Sequence, residues 1–159
     1  MDAAIKTFVP NNRFIGILIL APIATSLAFL ALAAVYFAIQ PTLVMVFPTA
    51  KDGLDESISV LPVGLFIVGL SPVFGGLQYL LFGGAALWVY LQNYPIRPWA
   101  CALVLFAVNG AVTSVIFQFG YPEFGQFCLV FGSFFAPVWG VVFALLYGRS
   151  IAREAQVSR

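Results

Sequence analysis

The chain has 159 residues, of which 62% are hydrophobic and 8% are charged, and its net charge is +1. Soluble domains carry about 25% charged residues, so this composition excludes an ordinary soluble domain. The near-neutral charge gives no basis for nucleic-acid binding. The sequence has no histidine, which removes the usual axial ligand of haem and the commonest ligand of zinc, so we predict no metal site and no cofactor.

Long uncharged segments divide the chain, and each can hold the roughly 20 apolar residues that cross a bilayer. They are residues 14–50, 57–96, 98–122 and 124–148. We therefore predict an all-α fold, a polytopic transmembrane four-helix bundle that forms one integral membrane domain over residues 1–159. The predicted membrane spans are 14–39, 72–93, 98–119 and 124–148, and an outer loop is predicted at 40–71.

The first span also resembles a cleaved signal peptide, because Arg13 precedes an apolar run that contains Ala31-Leu32-Ala33, an A-x-A pattern like that of a cleavage site. The apolar run continues to Ile39 without a polar break. We therefore favour a retained transmembrane helix, which we expect Pro41 to end, since proline cannot donate a backbone hydrogen bond.

The segment 57–96 is nearly twice the length of one span. It could form two short spans, 58–74 and 77–94, that turn at a pair of glycines. The alternative is one span that begins at Ser71-Pro72, where serine caps the helix and proline takes its first position.

The distribution of basic residues favours the arrangement with four spans. With the N-terminus inside, its cytoplasmic side carries six basic residues and its outer side only Lys51, as the positive-inside rule requires. The arrangement with five spans would move Arg97 and the three C-terminal arginines outside. We therefore predict that both termini are cytoplasmic.

The outer loop is mostly apolar around an acidic turn at 48–56. We expect it to lie in the outer membrane interface or to enter the membrane as a re-entrant segment. Apolar surface of this kind is typical of a cap over the bundle or of a docking face for another protein. The sequence leaves these alternatives open.

Small residues recur at every fourth position of the last span. They are Gly132, Ala136, Gly140, Ala144 and Gly148. Helices in lipid associate where small residues let their backbones approach closely. This small-residue stripe therefore predicts a helix-packing site, either within the chain or against another subunit. Trp139 lies in the middle of the same span, away from both interfaces, so we expect it to pack against protein.

No charged residue lies within the predicted spans, which argues against a proton relay and against acid–base catalysis in the membrane. Gln78, Thr113 and Ser133 are predicted at a similar depth in the outer half of the bundle. Asn109 is expected nearer the midplane, on the same helix face as Thr113. These four residues indicate either the lining of a substrate pocket or pore, or hydrogen bonds between helices.

Cys101 and Cys128 are expected near opposite membrane faces, too far apart for a disulfide. We predict no catalytic site, because an enzyme would have to draw its carboxylates from the outer acidic turn. The favoured hypothesis is a small non-catalytic membrane protein, a subunit or assembly partner of a membrane complex. The alternative is an oligomeric channel or facilitator for a small neutral or weakly polar solute.

The expected partners are the lipid bilayer and either further copies of the chain or a larger membrane-protein complex. We expect a multi-pass protein of the bacterial inner membrane, on the basis of its compactness and simple topology.

Overall fold

The computed structural model of the chain describes residues 11–47, 64, 71 and 76–157. Every regular element in these ranges is helical. Helix α1 is Asn11–Val46, and helix α2 comprises Gly76–Gln78, the π-helical turn Tyr79–Gly83 and Gly84–Asn93. Helix α3 is Pro98–Gln118, and helix α4 is Pro122–Val157. Segments of three helices are long and apolar enough to cross a membrane, namely Asn12–Val46, Pro98–Gln118 and Pro122–Glu154. The chain is thus an all-helical protein with the features of a multi-pass membrane protein.

The first and last helices, α1 and α4, are longer than the sequence predicts. Helix α1 continues through Pro41 to Val46, so the prediction that Pro41 ends it is wrong, and residues 40–46 are helix rather than loop. A proline removes only one backbone donor, and membrane helices tolerate it when other groups satisfy the freed carbonyl. Helix α4 likewise continues past Gly148 to Val157. Each has 36 residues and is about 54 Å long, so both extend beyond a hydrocarbon core of about 30 Å.

The predicted third span agrees with α3 to within one residue. The described part of the predicted second span, from Gly76 to Asn93, is helical, and Ser71 is also helical. Apart from 40–47, Gly64 and Ser71, the predicted outer loop lies outside the described residues. So does the question whether that loop is interfacial or re-entrant.

A glycine-dependent turn joins α3 to α4. Gly120 has φ 81°, in the left-handed region that residues with a Cβ atom rarely adopt. Its N–H donates to the carbonyl of Phe117, and the N–H of Tyr121 donates to the carbonyl of Ile116. This pair of bonds is the Schellman motif, which satisfies the last carbonyls of a helix. Pro122 then takes the first position of α4, where its missing N–H costs nothing.

The ends of four helices meet at one end of the bundle. The ring of Phe14 in α1 lies 5.3 Å from Trp88 in α2 and 5.3 Å from Phe143 in α4. Arg13 also forms an ion pair with Glu154. Helix α3 begins at this end, beside the second half of α4. We call it the basic end because it carries Arg13, Arg97, Arg149 and Arg153.

Helix α2 packs closely between α1 and α3 at two adjacent glycines. A Cβ atom on Gly83 would lie 2.7 Å from Cδ2 of Leu105, and one on Gly84 would lie 2.6 Å from Cδ2 of Leu18. Each leucine therefore occupies the space that a side chain on α2 would need. The two contacts fix α2 against both neighbours at the level of the π-helical turn.

The buried core is rich in aromatic side chains of α4. Trp139 is only 2% exposed, and its ring lies 5.1 Å from Tyr79 and 5.9 Å from Phe135. The prediction that Trp139 packs against protein is confirmed. Phe143 and Tyr147 stack one turn further along, 5.4 Å apart. This aromatic column extends the core from the polar level described below toward the basic end.

Replacing Gly120 with alanine is expected to destabilise the protein by about 1–2 kcal/mol, the cost of a left-handed backbone for a residue with a Cβ atom. Nothing lies within 4 Å of the added carbon, so the effect would come from the backbone alone. Unfolding of the purified protein in mixed micelles with increasing SDS, followed by tryptophan fluorescence, measures the change.

Gly110→Ala is the matched control, because it adds the same methyl group within a regular part of α3 where nothing lies within 4 Å. It is expected to leave stability unchanged or to raise it by up to about 1 kcal/mol, since alanine is the better helix former. Equal effects of the two substitutions would contradict the role assigned to the Gly120 conformation.

Candidate functional site

Two of the predicted polar residues meet between α2 and α3. Gln78 ends the first short segment of α2, directly before the π-helical turn. Its Nε2 donates a hydrogen bond of 3.0 Å to Oδ1 of Asn109 on α3. Asn109 is only 5% exposed, whereas Gln78 is half-buried. The amide–amide bond therefore links the two helices from within the bundle.

The amide of Asn109 also lies directly against Gly132 of α4. A Cβ atom on Gly132 would overlap this amide and would lie 2.6 Å from its Nδ2. The absence of a side chain at Gly132 is thus what allows Asn109 to take its place. Three helices meet at this point, which we call the amide junction and define by Gln78, Asn109 and Gly132.

The other two predicted polar residues do not join the junction. Thr113 lies one turn along α3 and is 1% exposed, but its hydroxyl has no hydrogen-bond partner among the described residues. Ser133 is half-buried, next to Gly132 in α4, and does not line the pocket beside the junction. Similar depth in the bundle was predicted for both, but depth does not determine which way a side chain points around its helix.

A small pocket adjoins the amide junction. Its volume is about 20 Å³, and its lining includes Gln78, Tyr79, Asn109, Gly132, Ala136 and Trp139. A water molecule needs roughly 10–15 Å³ measured in this way, so the pocket has room for one molecule of that size.

Sequence reasoning missed the contribution of Tyr79 and Trp139 to this site. Both side chains are almost fully buried, and each carries a polar atom that has no hydrogen-bond partner within the described ranges. The available signals were the position of Trp139 in the middle of its span and the place of Tyr79 beside Gln78. Neither signal reveals that the two rings pack edge to face across α2 and α4.

The small-residue stripe lies partly against α3. A Cβ atom on Gly140 would lie 2.7 Å from the carbonyl oxygen of Cys101 and 2.9 Å from Cα of Ala102, so the two backbones touch there. Ala136 and Ala144 are buried. Gly148 has nothing within 4 Å. Contact of the stripe with α3 therefore ends before its last member.

The two cysteines are free and buried. Cys101 lies near the start of α3 at the basic end, whereas Cys128 lies near the start of α4. Among the residues that the structure describes, no group of three or more Asp, Glu or Cys side chains is arranged to hold a metal ion. The amide junction is consequently the principal polar site in the described part of the bundle.

Gly140→Ala is expected to destabilise the bundle by about 1–3 kcal/mol, the usual cost of overpacking, because its methyl group would meet the backbone of α3. Gly148→Ala is the matched control, since it alters the same stripe where nothing lies nearby. SDS unfolding compares the two variants. A destabilisation that is equal in both would argue against close backbone contact at Gly140.

A double-mutant cycle with Gln78→Leu, Asn109→Leu and the combined variant measures the energy of the amide–amide bond. Interhelical hydrogen bonds in membranes contribute about 0.6 kcal/mol on average and up to about 1.7 kcal/mol, and we expect a coupling energy in this range. Strict additivity of the two single changes in SDS unfolding would contradict the bond.

Comparison with known proteins adds no assignment. The chain matches no protein-family model, no curated protein and no solved structure.

Proposed function

We propose that the chain is a small non-catalytic integral membrane protein that serves as a subunit or assembly partner of a larger membrane complex. The observation that carries the proposal is the amide junction. The polar groups best placed to line a solute path instead bond to each other and pack on Gly132. The space that remains beside them fits about one water molecule.

The distribution of charge supports a non-catalytic role. The charged residues within 11–47 and 76–157 all lie outside the uncharged runs 14–47, 76–96, 98–122 and 124–148. They are Arg13, Arg97, Glu123, Arg149, Arg153 and Glu154. General acid–base catalysis and proton relay within a membrane need ionisable groups near the reacting atoms, and this part of the chain offers none there.

Unused glycine surface supports assembly with another protein. Among the residues that the structure describes, none lies within 4 Å of a Cβ atom added to Gly16 in α1, Gly110 in α3 or Gly148 in α4. Beside Gly110, the hydroxyl of Ser114 donates to the Gly110 carbonyl over 2.8 Å, so this exposed face is small and its polar group is satisfied. Surfaces of this kind let a second helix approach closely within lipid.

The charge of the basic end supports a cytoplasmic location for the N-terminal end of α1 and the C-terminal end of α4. The positive-inside rule places the end with Arg13, Arg97, Arg149 and Arg153 in the cytoplasm. The N-terminal end of α1 and the C-terminal end of α4 lie together there, joined by the ion pair of Arg13 with Glu154. The proposed topology therefore has both termini inside, in a bacterial inner membrane.

The channel hypothesis receives less support. A path through a single chain at the level of Gln78 and Asn109 would require the helices to separate, because these residues bond to each other. A path between chains would have to use exposed polar side chains. The hydroxyl of Ser114, the exposed serine of α3, already donates to the carbonyl of Gly110 in the same helix.

Native mass spectrometry of the protein, extracted in mild detergent from its own membrane, tests the proposal. We expect the chain to emerge with a different protein in a fixed ratio. Gly110→Leu is expected to weaken this association at least about tenfold by blocking close approach, whereas Val115→Leu on the same helix should not. A monomer or a closed homo-oligomer would contradict the proposal.

Solute flux into reconstituted vesicles provides the complementary measurement. We expect no flux of small neutral solutes above that of protein-free vesicles, and no change with Asn109→Leu. Flux that is present in the wild-type protein and lost in Asn109→Leu would favour the channel instead.

A further inference from the structure

Three buried side chains that line the pocket beside the amide junction each carry a hydrogen-bonding group without a partner in the described part of the chain. These groups are Nδ2 of Asn109, the hydroxyl of Tyr79 and Nε1 of Trp139. The three residues line the same pocket and are 5%, 4% and 2% exposed. Roughly nine in ten buried polar groups in proteins have a partner, so a cluster of three exceptions calls for a physical account.

The backbone keeps this pocket open. In the π-helical turn the N–H of Gly84 donates to the carbonyl of Tyr79, five residues back instead of four. This wider turn places both Tyr79 and Gly83 on the pocket wall. Gly83 and Gly132 both line the pocket, and the side chains of Leu105 and Asn109 pack directly against them. Turns of this kind within α-helices often occur at functional sites.

The chemistry of the lining restricts what can occupy the pocket. The amide nitrogen and the indole nitrogen only donate, so an occupant must accept hydrogen bonds, while the tyrosine hydroxyl can donate or accept. A cation is therefore disfavoured. An anion is disfavoured as well, because no charged residue lines the pocket and burying an unpaired charge is costly. The volume of about 20 Å³ limits the occupant to the size of one water molecule.

We propose that the pocket is a binding site for a single internal water molecule. This water accepts hydrogen bonds from Asn109 and Trp139 and shares one with the hydroxyl of Tyr79. It thereby joins α2, α3 and α4 at the level where Gln78 and Asn109 are bonded directly. The proposal is independent of the function assigned above, since an internal water would serve a subunit or a channel equally.

Transfer of NMR magnetisation from water to the indole protons tests the proposal in the full chain, labelled with ¹⁵N at tryptophan and held in lipid nanodiscs. Trp99 is 60% exposed and gives the positive control. We expect Trp139 to receive magnetisation from water although its indole proton exchanges with deuterated solvent at least about tenfold more slowly than that of Trp99. No transfer to Trp139, under conditions where Trp99 shows it, would overturn the proposal.

Two variants separate a bound water from other sources of the signal. In Tyr79→Phe the transfer is expected to persist, because Asn109 and Trp139 still hold the water. Its loss in a folded variant would show a relay through the tyrosine hydroxyl and would overturn the proposal. Ala136→Val, which adds two methyl groups at the pocket wall, is expected to abolish transfer to Trp139 alone. Persistence of the transfer there would place the water elsewhere.

A halide is the remaining small acceptor. Titration of chloride against the wild-type protein is expected to leave the indole resonance of Trp139 unchanged. A saturable shift confined to that resonance would show an anion site and would overturn the assignment to water.

Discussion

Gly140 brings the backbone of α4 against the start of α3, with a space too small for even a methyl group between them. Much of the interior follows from this contact. Because the two helices run antiparallel from the Gly120 turn, close approach at Gly140 also brings Gly132, two turns earlier in α4, up to Asn109. In lipid no hydrophobic force draws helices together, so packing of this kind, rather than burial, holds α3 and α4 to each other.

The polar contacts have a different role from the packing. A single amide–amide bond is a modest source of stability in a membrane, but it is directional, and it can form only in one register of α2 against α3. Gly83 and Gly84 of α2 also favour this register, because each leaves room for one leucine from a neighbouring helix.

Sequence reasoning predicted the parts of the fold that local chemistry determines. The bounds of α3 were predicted closely because Pro98 and Gly120 mark its ends. The lengths of α1 and α4 were not, since a charge or a proline marks where the apolar stretch ends but does not by itself end a helix. Counting residues predicted Gln78 level with Thr113 and Asn109 nearer the midplane, so the pairing of Gln78 with Asn109 did not follow from depth. The π-helical turn was not predicted either, because no residue pattern distinguishes it from the α-helix around it.

The Gly120 turn has a consequence for the order in which the protein assembles. Only residues 119–121 separate α3 from α4, so the contacts between these two helices close shorter loops than those of α1 with α4. Closing a shorter loop costs less entropy. The contacts of Phe14 with Phe143 and of Arg13 with Glu154 join distant parts of the chain. We therefore expect the last two helices to form a hairpin first, and docking of the first helix to complete the bundle.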